Sequence, residues 1–173
     1  MKTLLNALIS SSLLLLGSAC QPEAADTQNH AHTDHSNQPA AGGTQTLIQQ
    51  AGPLQVTFDI STLQAHREMM QQMQMPASTA SEASHYVLVT LSDPEARKPV
   101  QAEDLRLKFV GPDGQAIGAA EGMAPESFSR QGMFHYGHAL NALASGDYEI
   151  LVMFRWQGNV YSSGVKWNPA AAA

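Results

Sequence analysis

The chain has 173 residues, of which 43% are hydrophobic and 14% are charged. That length accommodates one domain of ordinary size, and the composition excludes a chain that is disordered throughout. The formal net charge of −6 at pH 7 argues against binding to nucleic acid or anionic lipid through a general basic field. The sequence therefore favours cations or other proteins as partners.

Residues 1–19 have the layout of a secretory signal peptide. Lys2 supplies a short positive start, and an apolar run from Leu4 to Leu16 is followed by small residues. The run is too short to span a bilayer. We expect this segment to be removed on export, which would leave a mature chain with a net charge of −7.

The five residues 16–20, Leu-Gly-Ser-Ala-Cys, resemble a lipobox, although Gly17 replaces the usual leucine. The resemblance implies a bacterial lipoprotein precursor that is cut before Cys20 and lipidated on that cysteine. The alternative is an ordinary signal peptide cut after Ala19, which would leave a free thiol. Cys20 is the only cysteine of the chain and therefore has no disulfide partner within it, which favours lipidation.

Acyl chains on Cys20 would attach the protein to a membrane surface without spanning it. The next residue, Gln21, is not the aspartate that typically retains lipoproteins in the inner membrane of Gram-negative bacteria. The motif thus implies a lipid-anchored protein of the bacterial cell envelope, at the outer membrane and facing the periplasm.

Residues 20–46 are predicted to form a disordered tether, because polar and small residues dominate and no apolar periodicity is present. Short histidine-rich tracts can bind metal ions, and imidazoles at neutral pH suit Cu(II), Ni(II) or Zn(II). The tether contains such a tract, which we interpret as a secondary metal-collecting segment: His30, His32 and His35.

Residues 47–168 are predicted to fold, and residues 169–173 to form a disordered tail. Short runs with period-two alternation or β-rich composition predict six strands. They are Leu54–Phe58, Tyr86–Leu91, Leu105–Val110, Met133–Leu140, Tyr148–Trp156 and Val160–Trp167, with a tight hairpin at 157–159. This spacing indicates an all-β, immunoglobulin-like antiparallel sandwich with one short methionine-rich helix after the first strand.

That helix is predicted from Leu63 up to Pro76, which would end it. Four side chains at helical spacing share one face: His66, Met69, Met70 and Met73. In one interpretation the methionines are flexible core filler and His66 lies at the edge of the core. In the other, thioethers and imidazole form a soft, uncharged ligand set that selects Cu(I).

A second group of candidate ligands lies in the strand 133–140. Met133 and His135 would point to the same face, and His138 could rejoin them if Gly137 breaks the alternation. Each histidine alone would more simply be a surface or structural residue. Four of the mature chain's seven methionines fall within residues 69–75, whereas core filler would be scattered more evenly.

The folded part also resembles small periplasmic immunoglobulin-like modules of bacterial metal handling, such as YtkA-like domains and copper-binding lipoproteins. The residues that carry the resemblance are 86–93, 98–100, 111–114, 133–138 and 146–148. In such modules the tyrosine of the Gly146-Asp147-Tyr148 segment would brace a corner. The resemblance implies metal binding or delivery, and it extends to Met133 and His135.

Catalysis is not expected, because the chain has no G-x-S-x-G, HExxH or phosphate-loop motif and no cysteine nucleophile in the domain. The sequence instead predicts a membrane-anchored protein that binds a soft metal ion, most simply copper, or meets a metal-handling protein. The alternative is an envelope protein-interaction module in which the methionine stripe contacts a partner.

Overall fold

The computed structural model describes residues 38–40, 43–76, 82–142 and 144–169. The predicted signal peptide, Cys20 and the tether histidines His30, His32 and His35 lie outside these residues. Within the described ranges, no helix is both long and apolar enough to cross a membrane.

Strands make up most of the described chain, and all six predicted strands are confirmed. The elements are β1 (Gln38–Ala40), β2 (Thr44–Ala51), β3 (Leu54–Thr62), α1 (Leu63–Gln72), β4 (His85–Asp93), β5 (Lys98–Pro99), β6 (Glu103–Val110), β7 (Ala116–Ile117), β8 (Glu126–Arg130), β9 (Met133–Leu140), β10 (Tyr148–Trp156) and β11 (Asn159–Trp167). The single described helix follows the strand that was predicted as the first.

Two antiparallel sheets form the sandwich. The first has the order β1-β2-β3-β4-β9-β8, with β5 paired to β4, and the second has the order β11-β10-β6-β7. In immunoglobulin terms, β3-β4-β9-β8 correspond to strands A-B-E-D, and β11-β10-β6 correspond to G-F-C. The predicted immunoglobulin-like sandwich is confirmed, with β1 and β2 added outside the A strand.

The core lies between the sheets and follows from the period-two pattern. Alternate residues of β3 and β10 point inward and are almost completely shielded from solvent: Leu54, Val56, Phe58, Ile150, Val152 and Phe154. Complete burial of each such side chain contributes about 1.5–3 kcal/mol. The inward faces of the two sheets therefore hold the domain together, and the opposite face of each sheet lies outside this main core.

Tyr148 opens β10 and closes a corner of the sandwich. Its hydroxyl accepts a hydrogen bond from the Ala144 N–H and donates one to the Ala144 carbonyl, both at 3.0 Å. This is the geometry of the tyrosine corner of immunoglobulin-like domains. The bracing role expected for this tyrosine is confirmed.

The β10–β11 hairpin turns at Gln157 and Gly158, since Trp156 pairs with Asn159. Both turn residues have positive φ, 49° and 79°. Positive φ at both central residues is the signature of a type I′ turn, whose twist matches that of the flanking strands. The predicted tight hairpin is confirmed.

Strands also occur where none was predicted. β2 begins at Thr44, ahead of the expected start of the fold at Leu47, and β1 lies inside the segment 20–46 that was expected to be a tether. β8 has a single large apolar residue, Phe128, so its sequence lacks the alternation that identifies a strand.

Candidate functional site

Helix α1 lies on the face of the first sheet that is turned away from the core, which we call the outer face. Thr62 caps the helix by accepting a hydrogen bond from the Ala65 N–H at 3.2 Å. The Leu63 N–H donates a hydrogen bond to the carbonyl of Ser84, the residue before β4, at 3.0 Å. This bond attaches the start of the helix to the first sheet. One face of the helix is buried and holds Leu63, His66 and Met70.

The outer face has its own apolar cluster under the helix, separate from the main core. Leu63 packs with Tyr86 and Leu88 of β4, and Phe128 of β8 borders them. The alternating residues Val87 and Val89 point instead into the main core. The helix therefore covers a second, smaller hydrophobic layer.

His66 is the most deeply buried of the predicted ligands, with 2% of its surface exposed. Its ring lies flat on that of Tyr86, with centroids 3.6 Å apart and an angle of 9° between the planes. Burial lowers the pKa of His66, the charge of Glu126 opposes this shift, and Arg67 adds to it. The imidazole is therefore neutral at pH 7, the form that can bind a metal ion.

Tyr86 connects the helix to the far strands of the sheet. Its hydroxyl donates a hydrogen bond to Oε2 of Glu126 at 3.2 Å. The phenol ring crosses over Gly137, where an added Cβ would overlap the Tyr86 hydroxyl. Burial, followed by the charge of Glu126 and the hydrogen bond to it, raises the pKa of Tyr86 far above its usual value. The phenol therefore stays protonated.

Met133 and His135 both lie on the outer face of β9, as predicted. His135 pairs across the sheet with Phe128, and their rings stack with centroids 4.9 Å apart. The His135 Nδ1 atom is buried and has no hydrogen-bond partner among the described residues. Burial lowers the pKa of His135, and Asp59 opposes the shift. This neutral imidazole therefore has an unused nitrogen beside a thioether that is 46% exposed.

His138 does not join this group, because the break in alternation at Gly137 that would have placed it there does not occur. The pairing of β4 with β9 runs without a shift through Gly137, with Leu88 opposite Gly137 and Val87 opposite His138. His138 thus points to the inner face, where its ring lies 5.7 Å from that of Phe109. Gly137 leaves the alternation intact and instead makes room for Tyr86.

The helix methionines differ in their environments. Met70 is buried, at 4% exposure, whereas Met69 and Met73 are half-buried. The helix thus presents His66 and Met70, one turn apart, to the sheet face that carries Met133 and His135. Met69 and Met73 lie at the margins of that contact.

The outer face carries thioether and neutral imidazole donors, together with the carboxylates of Asp59 and Glu126. In the described ranges, no group of three or more His, Cys, Asp or Glu side chains could hold a metal ion. A site built from the outer face would therefore need methionine sulfur as a ligand. Neutral imidazole with thioether is a ligand set suited to Cu(I).

Three outer-face residues, Tyr86, Glu126 and Phe128, were not singled out from the sequence. Their roles depend on which strands are neighbours, and β8 itself was not predicted. One signal was available, because a glycine inside a strand marks a close approach by another group. Gly137 is such a glycine, and the approaching group is Tyr86.

The fold and the outer face define a class: an immunoglobulin-like β-sandwich in which one sheet is covered by a short methionine-rich helix. No protein-family model matches the chain, and no curated protein matches it. Among solved structures, it is similar to the crystal structure of a DUF4426 family protein (PA0388) from Pseudomonas aeruginosa PAO1. The TM-score is 0.53 at 13% sequence identity, over 71% of this chain and 93% of that one. The likeness shows a shared β-rich fold.

Proposed function

We propose that this protein is a lipid-anchored, non-enzymatic lipoprotein of the bacterial envelope that binds a soft metal ion, copper as Cu(I), on the outer face of its sandwich. The ligands are drawn from His66, Met70, Met133 and His135. Met69 and Met73, which are half-buried on the same helix, are additional candidate ligands. His30, His32 and His35 form a weaker collecting tract in the tether.

The observation that carries the proposal is the unpartnered Nδ1 of His135. A buried polar atom without a hydrogen bond costs free energy, so such atoms are rare in folded proteins and need an explanation. A metal ion bound to Nδ1 would satisfy this atom. Burial keeps the imidazole unprotonated, and Met133 stands two residues away on the same face.

The thioether component explains why the site would suit an exported protein. Thioethers need no deprotonation to bind a metal, and they form no disulfides in an oxidising compartment. The residues that would direct export and anchoring are the signal peptide 1–19 and the lipobox-like segment that ends at Cys20. Copper would reach the protein in the periplasm, from solution or from a metal-handling protein.

A titration of the mature-length chain with Cu(I) against a competing chelator tests the proposal. Cys20→Ser keeps this protein unlipidated and removes its only thiol. We expect one Cu(I) per chain. His135→Ala should weaken binding by about tenfold or more, the scale on which even outer-shell partners of a ligand act.

His138→Ala is the matched control, because it removes the same side chain three residues further along the same strand, from the opposite face. It should leave Cu(I) affinity unchanged while lowering stability. The proposal fails if wild type does not compete with the chelator, or if the two substitutions weaken binding equally.

The second candidate function is a protein-interaction module, and the exposure of Met133 is the observation that favours it. At 46% exposure this side chain could contact a partner. The α1 methionines support this version less well, because Met70 is buried and Met69 and Met73 are half-buried. If the Cu(I) titration gives no binding, this candidate takes its place.

A further inference from the structure

The outer face of the second sheet carries a concentration of basic residues. Buried residues alternate with outward-pointing ones along β6, β10 and β11, so the pairing register fixes which side chains share this face. We call it the cationic face and define it by Arg106, Lys108, Leu151, Met153, Arg155, Val160 and Lys166.

The charge of this face is opposite to that of the whole chain. It holds four of the eight lysines and arginines that follow Lys2, and three acidic residues, Glu103, Asp104 and Glu149. Asp104 forms a long, exposed ion pair with Arg155 at 3.6 Å, and Glu149 pairs across the sheet with Lys166. Glu103 lies opposite Arg155, so the face is formally +1, whereas the mature chain is −7.

Two of the cations have no acid directly opposite them on β10. The residue across from Arg106 is Met153, and the residue across from Lys108 is Leu151. Apolar side chains therefore separate these two cations from the far edge of the face. Neither cation faces a carboxylate across β10, and Arg106 donates a hydrogen bond to the Gly122 carbonyl at 3.5 Å.

The face is partly apolar. Met153 and Val160 are 44% and 60% exposed. The Leu151 side chain lies over Gly164, where an added Cβ would overlap it, and Ser162 is the next outward residue of β11. A surface of small residues, exposed apolar groups and bordering cations can contact both the headgroups and the upper acyl region of an anionic membrane.

We infer that the cationic face binds the anionic phospholipid surface to which the chain is tethered. This inference rests on the proposed lipid anchor at Cys20. Because β1 pairs with β2, the tether ends before Gln38, and its 17 residues after Cys20 can extend to at most about 60 Å, at about 3.3–3.6 Å per residue. The tether keeps the domain near the membrane, so a weak surface attraction acts at a high effective concentration.

The acidic charge of the rest of the chain does not prevent this contact. At physiological ionic strength, charges are screened beyond about 8 Å, and the two sheets of a sandwich lie about 10 Å apart. The carboxylates on the far sheet are therefore screened from a membrane that meets the cationic face. The attraction to the membrane therefore depends on the charge of the face that meets it. The net charge of the whole chain, which argued against lipid binding, does not describe this face.

The test uses the mature-length chain carrying Cys20→Ser, so that no acyl chain contributes. Its co-sedimentation with vesicles of phosphatidylglycerol and phosphatidylethanolamine is compared with that on phosphatidylcholine vesicles. We expect binding to the anionic vesicles at low salt, weakening as salt is added. The double substitution Arg106→Glu, Lys108→Glu should reduce binding about tenfold or more, because each cation contributes to attraction at an anionic surface.

The matched control is Arg97→Glu, Lys98→Glu, which makes the same change in net charge at the turn into β5, on the other sheet. It should bind the vesicles like the wild type. Two results would overturn the inference: no binding to anionic vesicles by the wild type, which would leave an acidic protein surface as the occupant, or equal loss in both double variants.

Failure here and failure of the proposed function can be told apart. The vesicle assay contains no copper and no lipidated cysteine, so its outcome does not depend on either. Cu(I) affinity should be the same in Arg106→Glu, Lys108→Glu as in the wild type, which also shows that this variant is folded.

Discussion

Tyr86 organises the outer face at the scale of single residues. Its ring supports the imidazole of His66, its hydroxyl reaches Glu126, and its path crosses Gly137. Three elements, α1, β8 and β9, are thereby fixed around one phenol. Tyr86 thus orients His66, the most buried candidate ligand. The phenol oxygen of Tyr86 is itself not a donor that Cu(I) prefers.

Gly137→Ala should destabilise the domain by about 1–3 kcal/mol, the usual cost of forcing an extra carbon into a packed site. Its Cβ would overlap the Tyr86 hydroxyl and push the phenol from beneath His66. Urea denaturation of wild type and variant measures the difference in free energy of unfolding.

The same substitution in a Tyr86→Ala background is the control. With the phenol removed, the added methyl group has space, so most of the cost should disappear and the two changes should be strongly non-additive. Additive effects would mean that Gly137 is needed for a reason unrelated to Tyr86.

The sequence predicts part of this residue-scale picture. Alternation along β9 correctly places Met133 and His135 on one face, because side-chain direction in a strand depends on position alone. It could not identify what Gly137 accommodates. That answer requires knowing that β4 is the neighbour of β9, and Leu88, the residue paired with Gly137, lies 49 positions earlier in the chain.

At the scale of elements, the methionine stripe of α1 has two interpretations, core filler and ligand set. The stripe was predicted correctly as one helix face, but its members are not equivalent: Met70 is buried and Met69 and Met73 are half-buried. Burial of Met70 suits both core filler and a shielded ligand. The two are distinguished by chemistry, since only a ligand requires sulfur.

Met70→Leu makes that distinction. The exchange keeps hydrophobicity and volume, so the free energy of unfolding should fall by less than about 1.5 kcal/mol. If Met70 is a ligand, Cu(I) affinity should fall by about tenfold, on the scale of ligand-shell substitutions. Competition titration measures the second effect.

Met153→Leu provides the comparison, because this methionine lies on the outer face of the other sheet, away from α1. It should change neither quantity. A Met70→Leu protein with wild-type Cu(I) affinity would identify Met70 as core filler.

The strands that were missed show the limit of periodicity. β8 reads Glu-Ser-Phe-Ser-Arg, with one large apolar residue, and it becomes a strand because β9 offers it a hydrogen-bonding edge. Such a strand depends on its tertiary context more than on its own residues. The six predicted strands, by contrast, carry enough β-branched or apolar alternation to be recognised alone.

At the scale of the whole molecule, burial of histidines makes stability depend on pH. Burial lowers the pKa of His66, His85, His135 and His138 in the folded state. The unfolded chain, with ordinary histidines near pKa 6.5, then binds more protons than the folded chain in the weakly acidic range. Stability should therefore be complete above about pH 6.5 and fall as the pH decreases below it.

Urea midpoints at pH 7.5 and pH 5.5 test this prediction, and the midpoint should be lower at pH 5.5. His66→Phe should reduce the difference, because it removes one buried titrating group while keeping a ring to stack on Tyr86. Replacing His30, His32 and His35 by glutamine should leave the difference unchanged. A midpoint that is independent of pH, or that rises on acidification, would contradict the account.

The strand order places the chain among immunoglobulin-like sandwiches, and the likeness to the DUF4426 family protein extends to the fold alone. The class of fold was predicted well, because the alternation of apolar and polar residues and the spacing of turns are repeated along the domain. Composition and net charge predicted surfaces poorly, since a net charge of −6 conceals a sheet face that is formally +1. Where charges lie depends on register, which composition does not contain.

X-ray absorption at the copper edge of the Cu(I)-loaded protein tests the central claim most directly, because it reports which elements surround the metal. The account predicts one bound Cu(I) with both sulfur and imidazole nitrogen in its first shell, and loss of the imidazole contribution from His135 in His135→Ala. A shell of nitrogen and oxygen without sulfur, or a protein that retains no copper, would contradict it.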